Sequence, residues 1–199
     1  CDRRQRQMCI RDSTSMIDVD SFVDYFIINE LSSNADAGNY STYIYKGTDN
    51  LYRMCVWDFN NACNNYFEDE LPYTGFFLNN RLWFEMLIKD EDFTERIIQR
   101  YHSLRKGLLS EESLYRYIDK TLDFIAPALA RNDARWGSVE QQAKGLLVPV
   151  SRNLDSRSAA EGQLKGYLRN SGKWLDENIE TLRQYSASSR VKQYNEVND

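Results

Sequence analysis

The chain has 199 residues, 42% hydrophobic and 28% charged, which is enough to bury a core and too apolar for wholesale disorder. No apolar run approaches the roughly 18 residues of a membrane span. A net charge of −5 and a pI of about 5.1 argue against nucleic acid or an anionic membrane as partner. The single histidine, His102, excludes most zinc chemistry and any His-based triad that does not pass through it.

Residues 1–13 differ from everything after them. They carry Arg3, Arg4, Arg6 and Arg11 with no apolar period. The run Gln7-Met8-Cys9-Ile10-Arg11-Asp12-Ser13 is similar to a peptide that arises when sequencing-adapter DNA is translated. They read as a non-native leader, followed by one domain over residues 14–185 and a polar tail over 186–199. The chain has no C-x-x-C, and the spacing of Cys55 and Cys63 leaves open whether they pair or stay as two small buried thiols.

Val19, Phe22, Val23, Phe26, Ile27 and Leu31 follow steps of three and four, which predicts a helix over residues 18–31 with Asp18 as N-cap. Turn chemistry fills residues 32–39. Two short strands, 40–46 and 51–57, are joined by Gly47-Thr48-Asp49-Asn50 as a tight hairpin. Residues 58–80 form a long irregular stretch rich in Asn and aromatics, and loops of that length are usually functional or disordered. Leu82, Trp83, Met86 and Leu87 mark a helix. Asp90 caps the next, with Phe93, Ile97, Tyr101 and Leu104 on one face and Gly107 as its stop. Ser110 caps a third, striped by Leu114, Ile118, Leu122, Ile125 and Leu129 and disturbed at Pro127. Leu164, Leu168, Leu175, Ile179 and Leu182 give a terminal helix. The expected fold is α+β and mainly helical, a β-hairpin packed on a helical bundle.

The ends of the hairpin carry the candidate chemistry. Asp36 lies just before the first strand and Asp58 just after the second, and a hairpin returns its two ends to one place. Phosphoryl transfer needs such a pair, one carboxylate for the attacking hydroxyl and one for Mg²⁺ on the phosphates. Asn39, Asn60 and Asn61 add the oxygen donors that a hard cation favours. The same residues also suit plain turn formation, with Trp57 and Phe59 as core aromatics. His102 reads as a solvated or hydrogen-bonded side chain, Glu111 and Glu112 as dipole complements, and Glu68-Asp69-Glu70 as a solvated loop. Trp83, Trp136 and Trp174 read as core.

Asn34-Ala35-Asp36-Ala37-Gly38-Asn39-Tyr40-Ser41-Thr42-Tyr43-Ile44-Tyr45-Lys46 resembles the catalytic-loop segment of the CotH kinase family, the spore-coat-protein-H-like atypical kinases. Val56-Trp57-Asp58-Phe59-Asn60-Asn61-Ala62 resembles that family's tryptophan-aspartate-phenylalanine motif. The likeness runs in order through Trp83 to Leu87, Asp92-Phe93, Arg100 to Leu109, Leu114 to Asp119 and Ala130 to Trp136. It ends in Trp174-Leu175-Asp176-Glu177-Asn178, and Cys63-Asn64-Asn65 departs from the family's usual small-aromatic-glycine run.

The resemblance implies an atypical kinase C-terminal lobe that uses ATP and Mg²⁺. Asp36 would be catalytic, Asp58 and Asn39 would hold metal, and Ser41, Asn60 and Asn61 would serve phosphate or a second metal. It also implies a protein substrate of coat or envelope type and a spore-coat, secreted or cell-envelope location. Family members carry an N-terminal lobe before the segment matching Asp18, and no G-x-G-x-x-G or Walker pattern stands here. The expectation is therefore a lobe that is inactive alone and active in the full-length protein. The rival reading is a noncatalytic surface or coat assembly module that uses residues 64–80 as its contact surface.

Overall fold

Helix α1 (Val19–Ser32) is the element on which the hairpin and two of the later helices pack. Its side chains are buried on nearly every side, with Phe22, Val23, Tyr25, Phe26, Ile27 and Leu31 all at most 4% exposed. Asp18 caps it by accepting from the Ser21 N–H at 3.2 Å, and Ser33 ends it in the left-handed region at φ 46°. The computed structural model describes residues 15–138 and 145–186. The expected leader, residues 1–13, and the tail beyond Ser186 lie outside the described residues.

Strands β1 (Tyr43–Lys46) and β2 (Tyr52–Cys55) form the hairpin, in antiparallel register Tyr43 with Cys55 and Lys46 with Tyr52. Both are shorter than the sequence suggests, because residues 40–42, 51 and 56–57 fall outside the ladder. Ile17 adds a parallel bridge to Tyr52, so the segment leading into α1 flanks β2. Buried Met54 faces α1, where Ser21 Oγ accepts from the Met54 N–H at 2.9 Å. Arg53 ties the turn to the helix cap, with Asp49 at 2.6 Å on one side and Asp18 at 2.8 Å on the other.

Residues 82–87 yield only a single turn, α2 (Phe84–Leu87), because Leu82 takes a left-handed φ of 44° and starts the helix late. Helix α3 (Glu91–Arg105) follows the Asp90 cap and buries Phe93, Ile97, Ile98 and Tyr101 against α1. Helix α4 (Glu111–Trp136) is capped by Ser110 and runs through Pro127, where both Pro127 and Asp123 are exposed. Among the described residues it packs mainly on α5 (Arg157–Asn178), so no α4 side chain is fully buried. The chain then tightens into a 3₁₀ segment, Ile179–Tyr185, that packs on α3. No helix among the described residues is long and apolar enough to cross a membrane.

Two of the three tryptophans expected in the core are not there. Trp83 is 48% exposed because a one-turn helix imposes no stripe, and Trp136 is 64% exposed because α4 ends beyond its contact with α5. Trp174 is partly buried and meets Phe76 edge-on at 5.0 Å. Trp57 and Phe59 also lie outside the fully buried core, Trp57 being 59% exposed. Cys55 and Cys63 both carry free thiols.

Phe84 is the aromatic keystone, with ring centroids of Phe26, Tyr25 and Phe22 at 5.6, 5.9 and 6.2 Å. Phe84→Ala is expected to cost about 3–5 kcal/mol in urea unfolding, whereas Phe124→Ala on the outside of α4 should stay within about 0.5 kcal/mol. Equal costs for the two would contradict the core assignment.

Candidate functional site

The loop after α1 is built from its own amides. Asn34 is buried and donates from Nδ2 to Asn29 Oδ1 at 3.0 Å, while Asn29 donates back to the Tyr25 carbonyl at 2.8 Å. Asn34 Oδ1 accepts from the Asp36 N–H at 3.3 Å, an Asx-type turn that explains why Asn precedes this aspartate by two. The Asp36 carbonyl accepts from the Asn39 and Tyr40 N–H groups at 3.0 and 2.8 Å. Asp36 is therefore half-buried on a fixed turn.

Across from it, Asp58 heads a 3₁₀ turn over Phe59–Asn61. Its backbone is left-handed, at φ 56° and ψ 69°, a conformation that Asp tolerates better than most residues. Its side chain is exposed and makes no capping bond. Asn61, at the end of that turn, donates from Nδ2 to Asp36 Oδ2 at 2.8 Å, joining the two loops across 25 positions of sequence. Asn39 and Asn60 are exposed beside these turns. Ser41 is half-buried at φ 45°. Among the described residues, no side-chain hydrogen bond links Asp58, Asn39, Ser41 or Asn60 to the Asp36–Asn61 pair.

Two residues of this neighbourhood escape the motif reading. Glu30 on α1 is 3% exposed, and its two carboxyl oxygens accept from the Phe77 and Leu78 N–H groups at 2.9 and 2.7 Å. Arg81 donates from Nη1 to the Ala35 and Ala37 carbonyls at 2.8 and 3.0 Å, on either side of Asp36. Burial lowers the Arg81 pKa from its ordinary value, while the charges of Glu30 and Asp36 act to raise it. Glu30 had a visible signal, a carboxylate on the apolar stripe four after Phe26 and seven after Val23. Arg81 had none.

The departure at Cys63-Asn64 takes up two left-handed residues, φ 54° and 64°, after the 3₁₀ turn. The Cys63 N–H donates to the Ser32 carbonyl at 2.6 Å, which returns this loop to the end of α1. Burial pushes the Cys63 thiol up to about 12, so it is no thiolate nucleophile at neutral pH. His102 lies far from these loops in sequence and pairs with Glu180 at 3.0 Å on the bundle surface.

A family model described as CotH kinase protein matches residues 2–175. The chain belongs to the CotH kinase family. The CotH match takes in both loops, α1, the hairpin and most of the bundle, so these loops stand on a kinase-like scaffold. A comparison with curated proteins returns no match.

Burial is the leading cause that pushes Glu30 from 4.5 up to about 7; its two N–H donors and Arg81 favour the anion and pull the other way. Between these values the folded chain holds a proton that the unfolded chain has released. Stability from Glu30 is therefore full below about pH 4.5 and falls as pH rises to about 7, by on the order of 3 kcal/mol. Glu30→Gln carries no titrating proton and should flatten that part of the profile in urea melts at pH 4.5, 6 and 8. An unchanged slope in the variant would contradict the assignment.

Proposed function

We propose that this CotH-family chain carries the catalytic and metal-binding loops of an atypical kinase. The reaction is transfer of the γ-phosphoryl of ATP to hydroxyl side chains of coat or envelope proteins. The observation that carries the reading is the Asn61–Asp36 hydrogen bond at 2.8 Å, which couples the turn headed by Asp58 to the loop of Asp36. Family membership supports the reaction class.

Asp36, half-buried and fixed, is assigned to orient the acceptor hydroxyl and take its proton. Its Oδ2 is engaged by Asn61, which among the described residues leaves Oδ1 for that role. Asp58, exposed and uncapped, is assigned to Mg²⁺ with Asn39, while Ser41, Asn60 and Asn61 are assigned to phosphate oxygens or a second ion. The donor set is oxygen-rich, which suits a hard cation. Among the described residues there is no cluster of three or more His, Cys, Asp or Glu able to hold a metal unaided. A magnesium ion here would share its coordination with water and nucleotide phosphates, and it would neutralise charge on the transferring group.

The rival assembly-module reading draws on exposed Phe67 and Tyr73 and the exposed Glu68-Asp69-Glu70 run. The backbone of residues 64–80 is held internally at several points, however. Arg152 holds the Asn64 and Tyr66 carbonyls, Tyr167 donates to the Pro72 carbonyl at 2.8 Å, and Glu30 holds Phe77 and Leu78. Those bonds tie the segment to Arg152, α5 and α1, and it is family membership that favours the kinase reading.

In the natural full-length protein, radiolabelled ATP with Mg²⁺ should label the protein itself or casein as a hydroxyl-rich acceptor. Asp36→Ala and Asp58→Ala should each reduce labelling by at least about 100-fold. Full activity in Asp58→Ala would remove the metal assignment, and no transfer by the wild-type protein would remove the kinase reading.

A further inference from the structure

We propose that Arg81 is the positioning residue of the Asp36 loop, reaching it from a turn that Glu30 anchors and across a seat that Gly38 keeps open. The inference deepens the kinase reading and rests on it only where activity is concerned.

The direction of the Asp36 side chain is set by the two peptide planes that bound it. The plane after Asp36 is held within the loop, by the Asn39 and Tyr40 N–H groups on its carbonyl and by the Ala37 N–H on the Asn34 carbonyl. The plane before it has one internal bond, from the Asp36 N–H to Asn34 Oδ1, and that is the longest of the set at 3.3 Å. Its other end, the Ala35 carbonyl, is held by Arg81 Nη1 at 2.8 Å, and the same nitrogen reaches the Ala37 carbonyl at 3.0 Å. One guanidinium thus grips the backbone on both sides of Asp36, a geometry suited to a rigid planar donor.

Arg81 is held in turn. Its N–H donates to the Leu78 carbonyl at 3.1 Å, and the Leu78 N–H is bound by Glu30 Oε1 at 2.7 Å. The chain of contacts begins on α1, crosses to residues 77–81 and returns to the loop that follows α1. Contact between turn and loop is close. A Cβ on Gly38 would lie 2.8 Å from Arg81 Cβ and 2.9 Å from Leu78 Cδ2, and Gly38 sits at φ +79°. Only glycine fits that position without moving the loop.

The test is amide hydrogen exchange on the chain with Arg81→Met, Arg81→Lys and Gly38→Ala, with Arg96→Met as an exposed ion-pair control. In Arg81→Met, the amides of Asp36, Gly38, Asn39 and Tyr40 should exchange at least about 10-fold faster while Ile97 and Ile98 in α3 keep wild-type rates. Arg81→Lys should restore part of that protection, and the control should change none of it. Unchanged loop exchange in Arg81→Met would overturn the proposal. If Arg81→Met also loses α3 protection, Gly38→Ala decides, since it displaces the loop without removing a charge. Loosening of the same amides supports the proposal, and its absence overturns it. In the natural full-length protein, kcat should fall in Arg81→Met with the KM for ATP unchanged. A loosened loop with unchanged kcat would overturn the positioning role. A wild-type protein without transfer would overturn only the kinase reading, and exchange would still decide Arg81.

Discussion

A carboxyl group inside a hydrophobic helix face is the constraint on which the site depends. Glu30 sits on the most buried helix among the described residues and is itself 3% exposed. Burying such a group is costly unless its oxygens are bonded, and two backbone N–H groups from residues 77 and 78 meet that need. Satisfying Glu30 therefore fixes a stretch of chain 47 and 48 positions away. The irregular segment after the hairpin is held against α1 at that point, and Arg81 emerges from it facing the Asp36 loop. A polar requirement in the core is thus converted into the placement of an exposed site.

The two loops differ in a way that suits divided roles. The Asp36 loop is tied down through buried amides, backbone bonds and a guanidinium, whereas Asp58 stands exposed on a left-handed residue with no capping bond. One carboxylate is fixed by the protein and the other stands open, and Asn61, at the end of the turn that Asp58 heads, carries the bond between their loops. Two other candidates for chemistry are occupied elsewhere: the Cys63 thiol is held protonated by burial, and His102 meets Glu180 on the bundle surface.

Much of the fold was legible because its signals are local. Asp18, Asp90 and Ser110 cap the helices that the apolar spacing outlines, and Gly47-Thr48-Asp49-Asn50 closes the hairpin. Errors arose where neighbours decide burial. The α4 stripe from Leu114 to Leu129 is regular, yet among the described residues the helix finds one main partner and buries none of it fully. Trp83 stands just before a helix cut short by the backbone of Leu82. Within the site, Asp36 and Asp58 stood out by their place at the ends of a hairpin. Arg81 did not, because its partners are 44 and 46 positions away and carbonyls leave no mark in a sequence. Glu30 was readable only as an anomaly, a charge on an apolar stripe.

We propose that the Asp36 loop and the Asp58 turn together hold one divalent cation on the CotH-family scaffold. Paramagnetic broadening by Mn²⁺, used as a Mg²⁺ substitute with a non-hydrolysable ATP analogue, tests it most directly. Amide signals of residues 36–39 and 58–61 should broaden together at substoichiometric Mn²⁺, and Asp58→Ala should remove both effects. Broadening confined to one loop, or centred on Glu68-Asp69-Glu70, would contradict it.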